Sequence, residues 1–333
     1  MSNPRRMITL GIETSCDETA AALLDGPSVL ASEIYTQQTH AAYGGVVPEM
    51  ASRAHLKKIG VVCRAVYDRA GIRPQQTDLV AVTDSPGLAG ALLVGIGFGL
   101  GMHTGYGMPI TGVNHLDGHI HSALLEHPDL SPPFLSLVVS GGHTALYAVR
   151  NMGRYECLGK TVDDAAGEAF DKVGKLLGFS YPAGRAIEEE AARARPGGGL
   201  KFPIARLSTS GPGFSFSGLK TAVRYFIQSK GAAYVNDHRP EICHAFQEAV
   251  VGSLLLNSRT AAGQTGIGRI AVVGGVACNG RLRRAFGDAF GANAIFPSPN
   301  YCTDNAAMIA RAGFECFKRN ELRRPSMDPV GGI

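Results

Sequence analysis

Met7-Ile-Thr-Leu-Gly-Ile-Glu-Thr-Ser-Cys-Asp-Glu-Thr-Ala-Ala-Ala-Leu-Leu24 is the stretch on which the fold turns. It runs apolar strand, short polar turn, apolar strand, which is the pattern of a hairpin whose turn carries backbone N–H groups. The same grammar returns at Phe134-Leu-Ser-Leu-Val-Val-Ser-Gly-Gly-His-Thr-Ala-Leu-Tyr-Ala-Val149. A second matched pair, Asp78-Leu-Val-Ala-Val-Thr-Asp-Ser-Pro-Gly-Leu-Ala-Gly90 and Arg269-Ile-Ala-Val-Val-Gly-Gly-Val-Ala-Cys-Asn279, reads as buried strand, Gly-rich loop and helix. Two repeats of one order of elements predict an internally duplicated α/β chain. Ligand-facing backbone is expected at the carboxyl ends of the strands, with the ligand between the two halves.

Composition agrees with that frame. At 333 residues the chain is long for one hydrophobic core, so two domains are expected. Hydrophobic residues at 45% and charged residues at 18% place it among globular rather than disordered chains. A net charge of +4 permits a polyanionic partner without requiring one. The seven cysteines are odd in number and scattered without any CxxC, which argues against a disulfide framework and against a zinc ribbon. The apolar run Met7 to Ile12 is too short for a signal-peptide core, so no export is expected. Ala89 to Met102 falls short of a membrane span and reads as a buried helix. Further helices are predicted at Val47 to Ala70, Ala165 to Leu177 and Pro240 to Ala262, from apolar residues at three- and four-residue spacing. Pro196 to Leu200 and Ser208 to Gly213 read as mobile loops, and the stretch after Arg323 as a loose tail.

Asn114-His115-Leu-Asp-Gly-His119 carries the first chemistry. On a helix, residues four apart share a face, so both imidazoles can reach one divalent ion. The alternative is a pair of surface or hydrogen-bonded helix residues, and the spacing alone does not choose. Ser140-Gly141-Gly142-His143-Thr144 follows as a turn suited to phosphate or acyl chemistry.

Seven segments together resemble the TsaD family, the tRNA threonylcarbamoyladenosine synthesis proteins once labelled sialoglycoprotein endopeptidases. They are Gly11-Ile-Glu-Thr-Ser-Cys-Asp-Glu-Thr19, His40-Ala-Ala-Tyr-Gly-Gly-Val-Val-Pro-Glu49, Asn114 to His119, Val139-Ser-Gly-Gly-His-Thr144, Asp163-Asp-Ala-Ala-Gly-Glu-Ala-Phe-Asp-Lys172, Phe214-Ser-Phe-Ser-Gly-Leu-Lys220 and Cys302-Thr-Asp-Asn305. The match runs in chain order from Met7 to Ala312. It implies an actin/Hsp70-like ATPase (ASKHA) fold, with two duplicated RNase H-like lobes around a central cleft. Lobe I is expected at 1–111, with 303–333 returning to it, and lobe II at 112–302.

The resemblance also implies roles. His115, His119 and Asp304 would bind one divalent metal ion, iron(II) by family resemblance with zinc as the alternative. Asp304 taken alone would read as a helix N-cap ahead of Asn305. Val138, Val139, Ser140, Gly141 and Gly142 would offer amides to a substrate phosphate or carboxylate. Asp171 and Gly184 would hold ribose or other polar parts of the nucleotide, and Asn279 would contact the same ligand. Singly these three read as a helix-surface carboxylate, a turn residue and a helix N-cap. Glu13 and Asp17 would face magnesium through water, as in actin-like ATPases. His143 reads as a packed strand residue. Lys220, Arg281, Arg283 and Arg284 stay unassigned, since solvated positive faces are common. The chain departs from the family pattern at Asp117 for Glu, at Ala183 and Arg185 around Gly184, and at Ser85 ahead of Pro-Gly.

The implied activity is transfer of the L-threonylcarbamoyl group from threonylcarbamoyl-AMP to the N6 amine of the adenosine just 3′ of the anticodon in ANN-decoding tRNAs. The implied setting is cytoplasmic, without a membrane, beside a TsaB-like paralogue and a TsaE-like P-loop ATPase. A zinc metallopeptidase is a rival, but a zincin helix needs HExxH and Leu116 fills the glutamate's place. A kinase or ATPase of the same fold would explain Glu13 and Asp17 but not two histidines. A nucleotide-binding scaffold is the non-enzymatic rival.

Overall fold

The computed structural model describes residues 7–43, 45–195, 199–205 and 211–328. The chain runs β1 (Ile8–Glu13), β2 (Glu18–Asp25), β3 (Ser28–Thr36), α1 (Pro48–Ala70), β4 (Leu79–Ser85), α2 (Ala89–Tyr106), β5 (Ile110–Asn114) and α3 (His115–Ser122). It continues with β6 (Phe134–Val139), β7 (Thr144–Asn151), β8 (Arg154–Lys160), α4 (Ala166–Leu176), α5 (Gly184–Ala191), and α6 (Ser217–Asp237), the last interrupted at Gly231. Then follow α7 (Arg239–Thr265), β9 (Ile270–Val273), α8 (Gly280–Phe290), β10 (Ala294–Ile295), α9 (Pro299–Cys302) and α10 (Ala306–Lys318). The helices expected near 47–70, 89–102, 165–177 and 240–262 are all present. Much of the loops read at 196–200 and 208–213, and the last five residues of the tail, lie outside the described residues.

Each of the two compact units is built on one five-stranded sheet. In the first, the order is β3-β2-β1-β4-β5, with β1–β2 and β2–β3 antiparallel and β1–β4 and β4–β5 parallel. In the second, β8-β7-β6-β9-β10 repeats that order and the same senses. The repeat follows from the sequence pattern. Each hairpin meets its parallel partner through a strand, β4 or β9, that is buried along its length and apolar at Leu79–Val82 or Ile270–Val273, as suits a central parallel strand.

In the first unit, α1 and α2 cover one sheet face, packing Ile59, Val62, Val66, Leu92 and Ile96 on Leu10, Ile12 and Leu23. On the other, Met308, Ile309 and Ala312 of α10 meet Ala81 and Val113. The units comprise 1–130 with 303–333, and 131–302. The sequence reading placed the division near 111/112, with 303–333 returning to the first lobe. Residue 112 lies inside β5, which pairs with β4, and α3 then packs against α10. Cutting there would split a paired strand.

The tail is a second correction. Arg323 donates from Nη1 and Nη2 to the two carboxylate oxygens of Asp84, at 2.5 and 2.7 Å, and Ser326 N donates to the same group at 3.0 Å. A proline-rich composition signals loose chain only where no partner exists, and here a buried carboxylate supplies one.

Gly11 shows how closely α10 is seated on β1. A Cβ at this position would lie 2.1 Å from the carbonyl oxygen of Ala306 and 2.7 Å from Ala310 N. Backbone atoms cannot move aside as a side chain would. Gly11→Val is therefore expected to lower unfolding free energy by ~1–3 kcal/mol or more, as overpacking does. An equilibrium urea titration that leaves the midpoint unchanged would show that α10 has another seat.

Candidate functional site

The candidate metal-ligating group assembles inside the first unit. Asn114 ends β5 and caps α3, its Oδ1 accepting from Leu116 N at 2.8 Å, so the helix starts at His115 and His119 falls one turn later on the same face. The two rings stand edge to face with centroids 4.6 Å apart. At the other end of the chain, Asn305 caps α10 by accepting from Met308 N, which leaves the preceding Asp304 free of that role. The N-cap alternative for Asp304 is thus taken by its neighbour.

His115, His119 and Asp304 present ligand atoms that all lie within 4.8 Å of one another. Oδ1 of Asp304 is 3.4 Å from His115 Nε2 and 3.2 Å from His119 Nε2. His119 is fully buried, and among the described residues neither of its ring nitrogens makes a well-formed hydrogen bond. An orphaned buried imidazole is costly in a protein interior unless something else satisfies it, and a cation would.

Glu13 completes the arrangement in a way the sequence reading did not foresee. Its Oε2 lies 3.0 Å from His115 Nδ1 and accepts from Thr83 Oγ1 at 2.6 Å, while Ser15 Oγ is 3.2 Å from the same Nδ1. A carboxylate on Nδ1 fixes the tautomer and leaves Nε2 facing Asp304, the usual second contact of a metal-bound histidine. Glu13, expected to face a metal ion from behind its ligands, lies against the imidazole of His115. Ser15 was missed, and nothing in its local sequence marks it as a partner of a residue one hundred positions on.

The charges agree. Burial opposes every ionised group here, yet Asp304 and Glu13 hold His115 well above its ordinary value. Burial likewise works to raise Asp304, but the two imidazoles hold it well below the carboxylate range. His119 is lowered by burial, which Asp304 only partly opposes. Glu18 is pushed up to about 10 by burial and then by the negative charge of Asp304 and Asp17. The pocket carries more negative charge than it can hold ionised, which a divalent ion would relieve. The residues fit such an ion.

A prediction follows for Glu13. Glu13→Gln keeps the shape but removes the charge behind His115, and should weaken metal affinity ~10–100-fold. Competitive chelator titration measures it; unchanged affinity would reduce Glu13 to a packing role.

The segment expected to bind an anion lies in the second unit, at the end of β6 and the turn that follows it. Val138 and Val139 are fully buried strand residues paired with Ala145 and Thr144 of β7, so their backbone belongs to the sheet and not to the turn. Ser140 begins the turn, donating from N to His143 O at 2.8 Å and accepting His143 N on Oγ at 3.1 Å. His143 is therefore a turn-closing residue rather than a packed strand residue. Gly141 and Gly142 are exposed, with open space where a Cβ would project. Behind them Gly274, at φ +95°, comes so near that a Cβ would lie 2.4 Å from Val139 O.

Asp171 accepts Ala183 N on Oδ1 at 2.8 Å and so steadies the start of α5, where Gly184 is the first residue. The Ala183 and Arg185 departures leave that turn intact, Arg185 pairing outward with Glu189. Asn279 is the N-cap of α8, accepting Leu282 N on Oδ1 at 2.9 Å and donating from Nδ2 to Gln247 at 2.8 Å. Asp117 pairs with His121 at 2.9 Å, and Ser85 Oγ accepts from Asn114 Nδ2 at 3.4 Å. Of the unassigned cations, Lys220 pairs with Asp164 and Arg281 with Glu248, and Arg283 donates to backbone carbonyls.

Comparison with known proteins converges on one group. A model of the TsaD family, described as tRNA N6-adenosine threonylcarbamoyltransferase, matches residues 28–311. A protein of that name from Syntrophotalea carbinolica is 47% identical over 312 residues, covering 92% of this chain and 91% of the relative. Another, from Geobacter sp. strain M21, is 48% identical over 316 residues, covering 92% and 90%. Among solved structures, component A of (R)-2-hydroxyglutaryl-CoA dehydratase from Acidaminococcus fermentans aligns with a TM-score of 0.57 at 15% identity, over 93% of this chain and 98% of that one. That likeness bears on the fold alone, and with the repeated sheet order it agrees with the ASKHA architecture expected from sequence.

Proposed function

Because the chain belongs to the TsaD family of tRNA N6-adenosine threonylcarbamoyltransferases, we propose that it is an acyltransferase acting on the adenosine just 3′ of the anticodon in ANN-decoding tRNAs. The N6 amine attacks the carbamoyl carbon of threonylcarbamoyl-AMP, a new C–N bond forms, the mixed-anhydride C–O bond breaks, and AMP leaves as the amine loses a proton. An adenine amine is a poor nucleophile, so orientation and stabilisation of charge on the donor carry much of the work.

The observation that supports this reading is the convergence of His115, His119 and Asp304 on one point. These residues would hold one divalent ion, iron(II) by family resemblance and zinc as the alternative, which supplies electrostatic stabilisation to acyl and phosphate oxygens. Glu13 keeps His115 in the tautomer that turns Nε2 to this site. The Ser140-Gly141-Gly142 turn receives the anionic part of the donor, since its glycines leave the backbone open to close approach. Asp171 and Gly184 serve the nucleotide at the start of α5. Asn279, at the start of α8, contacts the same ligand through its amide.

Leu116, buried beside His115, gives a peptidase no glutamate where a zincin helix needs one. Among the described residues no helix is long and apolar enough to cross a membrane, which is compatible with the cytoplasmic setting of tRNA modification. A TsaB-like paralogue and a TsaE-like P-loop ATPase are the proposed partners. The test is mass spectrometry of tRNA nucleosides after depletion, paired with reconstitution from purified protein, tRNA, donor and partners. Threonylcarbamoyladenosine should vanish in the first and form with AMP release in the second. Metal-dependent cleavage of a glycoprotein by this chain, with no modified nucleoside from the complete system, would return the peptidase reading.

A further inference from the structure

Two cysteines of the second unit are brought together by segments far apart in sequence. Cys278 ends the 3-10 turn Gly275–Cys278, and Cys302 ends α9. Cys302 is fully buried and Cys278 partly exposed, and the Cys278 thiol reaches the carbonyl of Pro299, the first residue of α9, at 4.0 Å. Arg283 ties the two segments together: Nε donates to Ala277 O at 2.8 Å, and Nη2 donates to Pro297 O at 2.7 Å and to Cys302 Sγ at 3.3 Å. Its guanidinium also sits 4.9 Å from the centroid of the Phe296 ring. The pairing is thus built into the fold around a cation.

We propose that Cys278 and Cys302 form an oxidisable dithiol site, which hydrogen peroxide converts to a disulfide clamping the Gly275–Cys278 turn to the end of α9. Cys278 Sγ attacks the peroxide oxygen; the O–O bond breaks, an S–OH forms, and water leaves with the thiol proton. Cys302 Sγ then attacks that sulfur; the S–S bond forms, the S–O bond breaks, and a second water leaves with the second proton. Two thiols lose two electrons, the peroxide gains them, and two waters result.

Exposure and charge name the attacking thiol. The hydrogen bond from Cys302, then Arg283, pull Cys278 down to about 7 against burial, so it is substantially thiolate at neutral pH. Cys63 and Cys243 are buried, and burial pushes both up to about 12, which leaves them inert. The position of the pair gives the bond a consequence. Asn279 directly follows Cys278, and Asp304 lies two residues beyond Cys302. If the transfer reading above holds, closing the disulfide displaces both segments and lowers transfer by about tenfold or more, since small misplacements cost that much.

The full-length native protein is treated with hydrogen peroxide, freed of peroxide, unfolded in guanidinium containing N-ethylmaleimide to block every free thiol, and digested with trypsin without reductant. The expected product is peptide 270–281 joined to peptide 285–311, lighter than their sum by two hydrogens and released by dithiothreitol. The other five cysteines should remain alkylated, with the circular dichroism unchanged. In Cys302→Ser the reaction should stop at a sulfenic acid on Cys278, trapped by dimedone. Recovery of both cysteines alkylated while others oxidise, or no dimedone adduct in Cys302→Ser, overturns the site. A disulfide that forms while transfer stays unchanged overturns its regulatory role. A reduced protein that never transfers refutes the functional reading and leaves the peptide test standing.

Discussion

His119→Ala is expected to abolish stoichiometric divalent metal and to lower the transfer rate ~10²–10³-fold, the scale on which a preorganised electrostatic group is lost. The argument rests on geometry. His119 is fully buried, among the described residues neither ring nitrogen makes a well-formed hydrogen bond, and Nε2 lies 3.2 Å from Oδ1 of Asp304, one helical turn from His115. A side chain with no other polar contact has little structural reason to be an imidazole. Because alanine also leaves a cavity, His119→Gln serves as the control that nearly preserves volume, and thermal unfolding of both variants separates collapse from loss of ligand. The double variant His115→Ala with His119→Ala should hold no metal by plasma emission analysis while remaining folded. Full metal content in that variant would mean the ligands were misassigned.

Arg323→Met should cost about 3 kcal/mol of unfolding free energy, as breaking a buried ion pair does. Asp84 on β4 is fully buried, and its carboxylate meets both Nη atoms of Arg323. Removing the cation strands the charge. The guanidinium is 47% exposed, so solvent screens part of the loss and the low end of the usual range applies. Adding Asp84→Asn should recover stability relative to Arg323→Met alone, because the unpaired charge is then gone as well. A urea midpoint for Arg323→Met indistinguishable from wild type would show that the pair behaves as a surface contact and that the tail docks by its backbone.

The docking of this tail shows how much the sequence could say. Proline, charge and the absence of periodicity after Arg323 read as loose chain, and by local composition nothing else could be read. The partner is Asp84, more than two hundred positions earlier, on a strand whose own sequence gives no sign that its carboxylate is buried and in need of a cation. Glu13 is the same case. Its place at the end of β1 was legible, but its contact with His115 depends on β4 lying between β1 and β5, an order of strands that no window of sequence contains.

What the sequence determined by itself is whatever repeats with the period of a strand or a turn of helix. The two hairpins, the buried strands β4 and β9, the long helices and the common face of His115 and His119 all follow from local spacing, because backbone geometry makes that spacing a direction in space. The glycines at Ser140-Gly141-Gly142 also announced an open turn. Tertiary structure alone decided which distant groups meet. Asp304 entered the metal site by family resemblance, and it stands there because Gly11 lets α10 lie against β1. Val138 and Val139 are held in β6, ahead of the turn, because β7 and β9 pair on either side of their strand. Cys278 and Cys302 meet because Arg283 holds their segments together. Each of these contacts depends on how elements separated by many residues pack, and that packing is set by the whole core rather than by any stretch of residues within it.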